Sequence, residues 1–404
     1  MAANGFKSRC LIVVVGLALL ASPSLANAQR VPPPFAADKI LPLDEFSPAL
    51  LGMFRKVMEI ERDIQEYTTQ YGVNVDLALA VCLQESGGNR NLRSRAGAQG
   101  YFQVMPATFQ SLRVDTNIEA GIKYLSQMIK RFNREDYALA GYNAGPGRVR
   151  RGRPPLETLQ YILSVGQYRN VLKLHSRSIR HHASQLRLEE LREGDSWWTI
   201  SQRIGVSVLQ LRMHNPFLAT RPLQIGQLMS YPIAARSNLL TTRGNDLEYR
   251  TRRGDNYLHL AFILEVDRDE FRDINNLWRL QTLPVGQMLR IPVTWSGKYN
   301  EHKVQPDEDL RSVAEAHQST PWRIIRDNNL FWDEELKPGT VLKVRPTPPK
   351  RAYVTHRVAR GDTLGALARR YGTSIRTIQT ANNMGRRTVI QIGQTLRIPT
   401  RTDD

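Results

Sequence analysis

LALAVCLQESGGNRN, residues 77–91, puts one carboxylate at the end of an apolar run and follows it with two glycines. Asn74 and Asp76 bring helix-start chemistry just upstream, and glycine is the residue that most readily ends a helix in the left-handed conformation. The stretch predicts a helix over about 75–85, capped by Gly87 or Gly88. Ala78, Val81 and Cys82 precede Glu85 by seven, four and three residues, so all four share one helical face. That face is apolar and belongs in a core. Glu85 also falls in the last turn, where the helix dipole is negative. Desolvation and dipole both disfavour the carboxylate and raise its pKa towards the range useful to a general acid near neutrality. The competing reading is a glutamate turned to solvent at a frayed end, and the stretch alone does not choose.

Outside this helix the chain bounds its own class. Its 404 residues exceed what one core organises, so several domains are expected. Residues 11–20 (LIVVVGLALL) follow Lys7 and Arg9 and precede Ala26-Asn27-Ala28, the pattern of an export signal cleaved after Ala28. The run is shorter than the roughly 20 residues that span a bilayer, so no transmembrane segment is expected in the mature chain. Cys82 is then the only cysteine left, which excludes a disulfide framework. A packing role for it outweighs a reactive one. The net charge of +18 favours anionic partners such as nucleic acid, anionic lipid or an acidic wall polymer. Export and the lack of a basic helix interleaved with stacking aromatics argue against nucleic acid. His181-His182 has no second ligand pair at metal spacing, so no metal is expected. No cofactor is implied.

Residues 29–59 read as a proline-rich N-terminal segment, extended over 29–48. A helical domain follows over 60–175, and the polar, basic stretch 176–187 reads as a linker. The remainder repeats one plan four times, at 188–234, 248–293, 301–346 and 353–400. Each copy has a β-like entry, Gly-Asp or its equivalent, two short helices ending in Asn, and an exit of the form L..GQ.L.IP, which reads Pro338-Gly339-Thr340-Val341-Leu342 in the third. Gly194, Asp195 and Asn215 mark the first copy, Gly254, Asp255 and Asn275 the second, and Gly361, Asp362, Thr363, Asn382 and Ile392 the fourth. The third carries Asp307-Glu308 in place of Gly-Asp and is degenerate. A spacing of 53–60 residues makes each copy a small autonomous module rather than a solenoid turn, with proline-containing tethers between copies.

These modules resemble LysM domains, βααβ folds that bind N-acetylglucosamine-containing glycans. The resemblance implies that glycan meets the Gly-Asp loops and the Asn loops of the residues just named, including Ile392. The alternative is that the same Gly, Asp and Asn residues only cap helices and close turns. Recurrence of one surface four times favours glycan binding through avidity.

In the helical domain four motifs follow one another: ES at 85–86, GYFQVMP at 100–106, AGYNAG at 140–145 and ETLQY at 157–161. Together they resemble the lytic transglycosylases related to goose-type lysozyme, and with the repeats behind them they resemble D-type membrane-bound lytic murein transglycosylases. The resemblance implies a multidomain α+β chain: a mostly α-helical lysozyme-like domain followed by four βααβ modules. It makes Glu85 the lone acid/base, with Ser86, Gln103, Met105, Tyr142, Asn143, Glu157 and Tyr161 around the substrate. Within that set Gln103 and Met105 line the sugar groove, Tyr142 hydrogen-bonds the catalytic carboxyl, and Glu157 holds substrate groups or water. Tyr101-Phe102 stands where Leu-Trp is usual in the family, and Gly141 where Ala is common, which alters groove shape and leaves the acid in place.

The implied reaction cleaves the β-1,4 bond between N-acetylmuramic acid and N-acetylglucosamine in peptidoglycan and leaves a 1,6-anhydro ring. No motif offers a second carboxylate; Asp115 and Glu119 lie in a less constrained stretch. The rivals are a hydrolytic muramidase and a wall-binding scaffold with an inactive head. The partners implied are peptidoglycan glycan strands, with no nucleic acid, in a periplasmic, outer-membrane-associated or secreted setting. The run Arg148, Arg150, Arg151 and Arg153 fits either a contact to acidic stem peptides or a solvated loop.

Overall fold

The computed structural model describes residues 39–152, 154–220, 222–233, 239–243, 246–266, 268–277, 282–291, 299–328, 330, 336–346, 352–382, 384 and 387–400. Residues 1–28, where an export signal is expected, residues 29–38 and Arg153 lie outside them.

The helical domain starts at Pro48, inside the segment expected to be a proline-rich lead. Helix α1 (Pro48–Val57) opens on Ser47, whose hydroxyl accepts from the Leu50 amide, with Pro48 in the first turn, where a missing N–H is harmless. Leu50, Met53, Phe54 and Val57 are fully buried. The expectation of a proline-rich lead up to residue 59 is therefore corrected: these prolines start a core helix. Helices α2 (Glu61–Tyr71), α3 (Val75–Glu85), α4 (Pro106–Leu112), α5 (Asn117–Phe132), α6 (Glu135–Ala144), α7 (Pro146–Arg150) and α8 (Leu156–Ser184) complete the domain. Helix α3 is its axis and packs against α1, α2 and α8, so residues 77–83 are buried on every face. The linker expected at 176–187 is instead the last third of α8, beyond a kink at His175, and runs directly into the next strand. Ile179 and Ala183 are buried there, while Ser178 and His182 bind the Leu41 amide and carbonyl. Polar residues in this stretch anchor the chain entry, which disguised a packed helix as a tether.

The first module is β1 (Leu186–Glu190), α9 (Trp197–Ile204), α10 (Val208–His214) and β2 (Leu228–Pro232), with β1 and β2 antiparallel in the register Leu188↔Ser230. The second adds an edge strand β3 (Thr241–Arg243) to β4 (Asp246–Arg250), α11 (Tyr257–Ile263), α12 (Arg268–Ile274) and β5 (Met288–Ile291). The third is β6 (Asn300–Lys303), α13 (Leu310–Ala316), α14 (Pro321–Asp327) and β7 (Val341–Val344). The fourth is β8 (Ala352–Arg357), α15 (Leu364–Arg370), α16 (Ile375–Ala381) and β9 (Thr395–Thr400). The chain is thus a multidomain α+β protein with a mostly helical head and small βααβ modules.

One set of hydrogen bonds recurs in all four modules and accounts for most of the repeat signature. The Asn that ends the second helix donates back to its own helix and on to the exit strand, and accepts from that strand. Asn215 does so with Leu211 and Ser230, Asn275 with Phe271 and Arg290, Asn328 with Ile324 and Lys343, and Asn382 with Ile378 and Arg397. The acidic residue after Gly closes the entry turn by accepting an amide three residues back. Asp195, Asp255 and Asp362 do this, and Glu308 replaces them in the third module.

The modules are not beads on tethers. The cores of modules two and three form one apolar cluster, joined by Val208, Leu209 and Met213 of α10 and by Ala49 of α1, while module one also keeps its own core of Leu191, Ile200, Val206, Leu211, Leu218 and Met229. Two buried arginines cross their junctions. Arg212 of α10 donates to the Ile263 carbonyl of module two and stacks on Trp197 and on Trp322 of module three. Arg326 of α14 donates to the Leu264 carbonyl. Module four keeps a separate core of Val358, Leu364, Leu367, Ile378, Leu396 and Ile398. The expectation of four autonomous modules is corrected: modules two and three share a core on which α10 of module one packs, and module four keeps a core to itself.

Candidate active site

Glu85 is the last residue of α3, which starts at Asn74, whose side chain accepts the Leu77 amide. The Gly87 amide closes the helix end on the Cys82 and Leu83 carbonyls. Both glycines are obligatory here. Gly87 (φ +58°) and Gly88 (φ +77°) are left-handed, and a Cβ on Gly87 would lie 2.7 Å from the Phe217 ring and 2.8 Å from Met53. A Cβ on Gly88 would lie 2.8 Å from the Lys56 side chain. The turn after the carboxylate is therefore pressed between α1 and the first module.

The Glu85 carboxyl keeps a partial opening to solvent but sits among protein atoms, and burial pushes its pKa up to about 8. Among the described residues no neighbouring carboxylate contributes to that rise, and the Tyr161 hydroxyl works against it. Tyr161, on the first turns of α8, is buried, and among the described residues its hydroxyl has no regular hydrogen-bond partner. It faces Glu85 closely enough to favour the charged form. Tyr142 of α6 also lies near Glu85, and burial with that neighbouring charge holds both phenols well above the usual tyrosine range. The Tyr142 hydroxyl donates at 2.8 Å to the Phe102 carbonyl, not to the carboxyl, which corrects the expected partner. Tyr142 thereby ties α6 to the 99–104 loop beside the acid.

That loop is held from several sides. Gln103 is left-handed (φ 47°), and its amide donates to the Leu92 and Gly100 carbonyls, each at 2.8 Å. Asn117, the first residue of α5, accepts from Phe102 N and donates to the Gln99 carbonyl. Phe102 is fully buried against Gly121. Beyond the loop, Met105 is 43% exposed and offers an apolar surface on the open side. Asn143 is exposed and accepts from the Thr158 hydroxyl at 2.9 Å, linking α6 to α8. Glu157 is exposed in the first turn of α8. Ser86 departs from expectation: it is fully buried, and its hydroxyl accepts from the Gly88 amide, so it shapes the turn instead of meeting a ligand. Glu119 accepts from the Tyr71 hydroxyl at 2.6 Å. Cys82 is buried with its thiol pushed up to about 12, as suits a packing residue.

The support behind the carboxylate has no signal in the sequence. Lys56 of α1 is 1% exposed, and burial pushes its pKa down to about 7. Its ammonium donates to Asn89 Oδ1 (3.0 Å) and Asn215 Oδ1 (3.4 Å), and Asn89 donates to the Ser86 carbonyl. A buried polar chain thus runs from the first module through α1 to the residue beside Glu85. Gly52 of α1 permits the approach, since a Cβ there would lie 2.0 Å from the His214 carbonyl.

Module two packs on the opposite side with its entry loop inward. Arg253 N donates to the Glu45 carbonyl, Asn256 to the Ser164 hydroxyl at 2.9 Å, and Gln167 to the Asp255 carbonyl. Gly254 (φ +85°) lies against Leu50, and Asp255 is 1% exposed. Gly254 and Asp255, expected at a glycan surface, are covered by the head. Asn215, Asn275 and Asn382 are likewise engaged inside their modules. Gly194, Gly361, Asp362 and Thr363 remain on accessible loops, although Asp362 and Thr363 also close a turn and cap α15. Ile392 is 71% exposed, and Ile225 stands at its counterpart position in module one, 66% exposed.

A transglycosylase SLT domain model matches residues 62–154, and a LysM domain model matches 191–232, 302–345 and 356–399, the first, third and fourth modules. The soluble lytic murein transglycosylase of Salmonella typhimurium is 32% identical over 159 residues, covering 33% of this chain and 24% of the relative. That of Escherichia coli K12 is 35% identical over 103 residues, covering 21% and 16%. The chain therefore spans a quarter or less of these relatives. The solved 70 kDa soluble lytic transglycosylase of Escherichia coli is 27% identical, covering 29% of this chain and 23% of that one, with a TM-score of 0.22. The chain carries an SLT transglycosylase domain followed by LysM domains. Among the described residues no helix is long and apolar enough to cross a membrane.

Proposed function

We propose that the chain is a peptidoglycan lytic transglycosylase with Glu85 as its only acid/base. The observation that carries this reading is a single carboxyl at the end of α3, raised to about 8 by burial at a partly open site, with no second carboxylate acting on it among the described residues. Two-carboxylate hydrolysis needs a second acid about 5–9.5 Å away, and none of the four motifs supplies one beside Glu85. The SLT match and the names of the relatives supply the substrate class.

In this mechanism protonated Glu85 donates to the oxygen between N-acetylmuramic acid and N-acetylglucosamine as that bond breaks. The substrate acetamido group stabilises the oxocarbenium-like centre. The Glu85 carboxylate then takes the proton from the muramoyl O6 hydroxyl, whose oxygen closes the 1,6-anhydro ring, and the acid is regenerated without water. Tyr142 fixes the loop carrying Gln103 and Met105 along the strand, and Asn143 and Glu157 border the open side. The exposed loops of modules one, three and four hold the chain on wall glycan, in the periplasm or at the wall after export.

Mass spectrometry of purified peptidoglycan digested by the full chain tests this. Anhydro ends, one water lighter than reducing ends and absent with Glu85→Gln, are expected. Reducing muramic acid ends make the enzyme a muramidase, and turnover unchanged in Glu85→Gln removes the assignment altogether.

A further inference from the structure

Module one sits on α1 at close range. Gly52 meets the His214 carbonyl, and Arg55 Nε donates to the Leu186 carbonyl at 3.0 Å. From this seat two contacts reach the residues next to Glu85. Phe217, in the turn after α10, packs on the core of the head, and its ring presses on Gly87, where a Cβ would lie 2.7 Å from it. Asn215 Oδ1 accepts from Lys56 Nζ at 3.4 Å, Lys56 donates on to Asn89 Oδ1 at 3.0 Å, and Asn89 donates to the Ser86 carbonyl. We propose that module one positions Glu85 for proton transfer, with Phe217 as the positioning residue, so that the head and module one form one catalytic unit.

Phe217 is itself braced from behind. Its ring meets His259 of α11 edge-on at 5.3 Å, and His259 Nδ1 lies 3.2 Å from the Tyr168 hydroxyl of α8. Tyr168 is 1% exposed and belongs to the core of the head. The ring is therefore clamped between the Gly87 turn and a module-two histidine anchored on the head. The turn needs such a clamp. Glu85 is the last residue of α3, and two glycines follow it after Ser86, the residue type with the most backbone freedom. What fixes the turn is what presses on it: Met53 and Lys56 of α1, and Phe217 of module one. Proton transfer needs the carboxyl within hydrogen-bond reach of the glycosidic oxygen, and a displacement of about 1 Å costs about 100-fold in rate. Phe217 acts on the reaction through Gly87, so its effect belongs in kcat and not in KM. This role rests on Glu85 being the acid of the function proposed above.

The test measures kcat and KM of the full chain on soluble peptidoglycan glycan fragments, scored as loss of the intact fragment so that the product end does not matter. Phe217→Ala, with folding checked by circular dichroism, should lower kcat by about 10–100-fold and leave KM within about twofold. Phe217→Leu restores apolar volume against Gly87 and should recover most of that loss. Lys56→Met cuts the polar link from Asn215 to Asn89 and should lower kcat while the melting temperature does not fall, a combination that a purely structural role does not produce. A folded Phe217→Ala chain with kcat within about twofold of wild type overturns the proposal, and so does a rise in KM at unchanged kcat, which would make Phe217 a glycan contact. Where Phe217→Ala fails to fold, Lys56→Met decides alone, and unchanged kcat there overturns the proposal. Glu85→Gln is measured alongside. Full turnover in that variant removes the catalytic assignment, whereas a dead Glu85→Gln beside a fully active Phe217→Ala removes only the positioning role.

Discussion

The raised pKa of Glu85 fixes a measurable pH limb. A rise from 4.5 to about 8 is worth about 5 kcal/mol against the carboxylate, at about 1.4 kcal/mol per pH unit. At pH 7 about ten acids then stand protonated for each ionised one, against roughly one in 300 for an ordinary glutamic acid. Burial thus raises the competent fraction at neutrality several-hundred-fold. With soluble glycan fragments, kcat/KM should be flat from pH 5.5 to 7, halve near pH 8 and fall about tenfold per unit above it. Glu85→Gln should lower it by about 10²–10⁴-fold. Tyr161→Phe removes the one group favouring the charged form and should move the limb upward. The same shift has a stability sign. Between pH 4.5 and 8 the unfolded glutamate ionises while the folded one stays protonated, so the folded state loses stability as pH rises. Glu85→Gln should accordingly match the wild type below pH 4.5 and gain up to about 5 kcal/mol above pH 8. An alkaline limb centred between pH 4 and 6, with no stability gain at pH 9, refutes the reasoning.

Lys56→Met should stabilise the fold by about 2–4 kcal/mol at pH 7. The buried amine forfeits about 5 kcal/mol through its lowered pKa, and the orphaned Asn89 oxygen returns about 1–3. The unfolded amine holds its proton up to pH 10.5 and the folded one only to about 7, so the advantage fades across that window; urea unfolding at pH 7 and 10.5 reads it, and equal differences at both would count against the account. Gly121→Ala places a Cβ 2.2 Å from Phe102, whose carbonyl holds Tyr142. It should cut kcat/KM by about 10–100-fold through displacement of that loop, and full activity in a steady-state assay would exclude the link. Deletion of 347–404 should leave the melting transition of the head in place. Deletion of 188–404 should lower it by uncovering Leu50, Phe217's pocket at Gly87, and Tyr168, so coincident melting curves would disprove that packing.

Much of the head was legible because its signals are local. The Asn74 cap, the apolar face of α3 and the Gly-Gly stop gave the helix its bounds within 75–85. The alignment of Glu85 with Ala78, Val81 and Cys82 put burial among its two readings, and the packing of α3 decided it. Side-chain direction is not a sequence property: Ser86 turns inward to Gly88 N and Tyr142 reaches the Phe102 carbonyl, and neither partner is legible from spacing. The 176–187 stretch misled for a related reason. Its charge hid the few residues, Ile179, His182 and Ala183, that face the core.

The sequence by itself determined the module fold four times over. Its Asn, Asp and Gly positions satisfy backbone groups within each module, and such bonds need nothing from outside. Tertiary structure decided which modules stay open. Module two keeps Gly254, Asp255 and Asn275 in place, yet its entry loop is closed by Leu50, Glu45 and Ser164 of the head. The two glycines after Glu85 look like a helix stop in sequence; in the fold they make room for Lys56 and Phe217. Local hydrogen bonds can be read from spacing along the chain, whereas close approach between distant surfaces depends on shapes that exist only once both have folded.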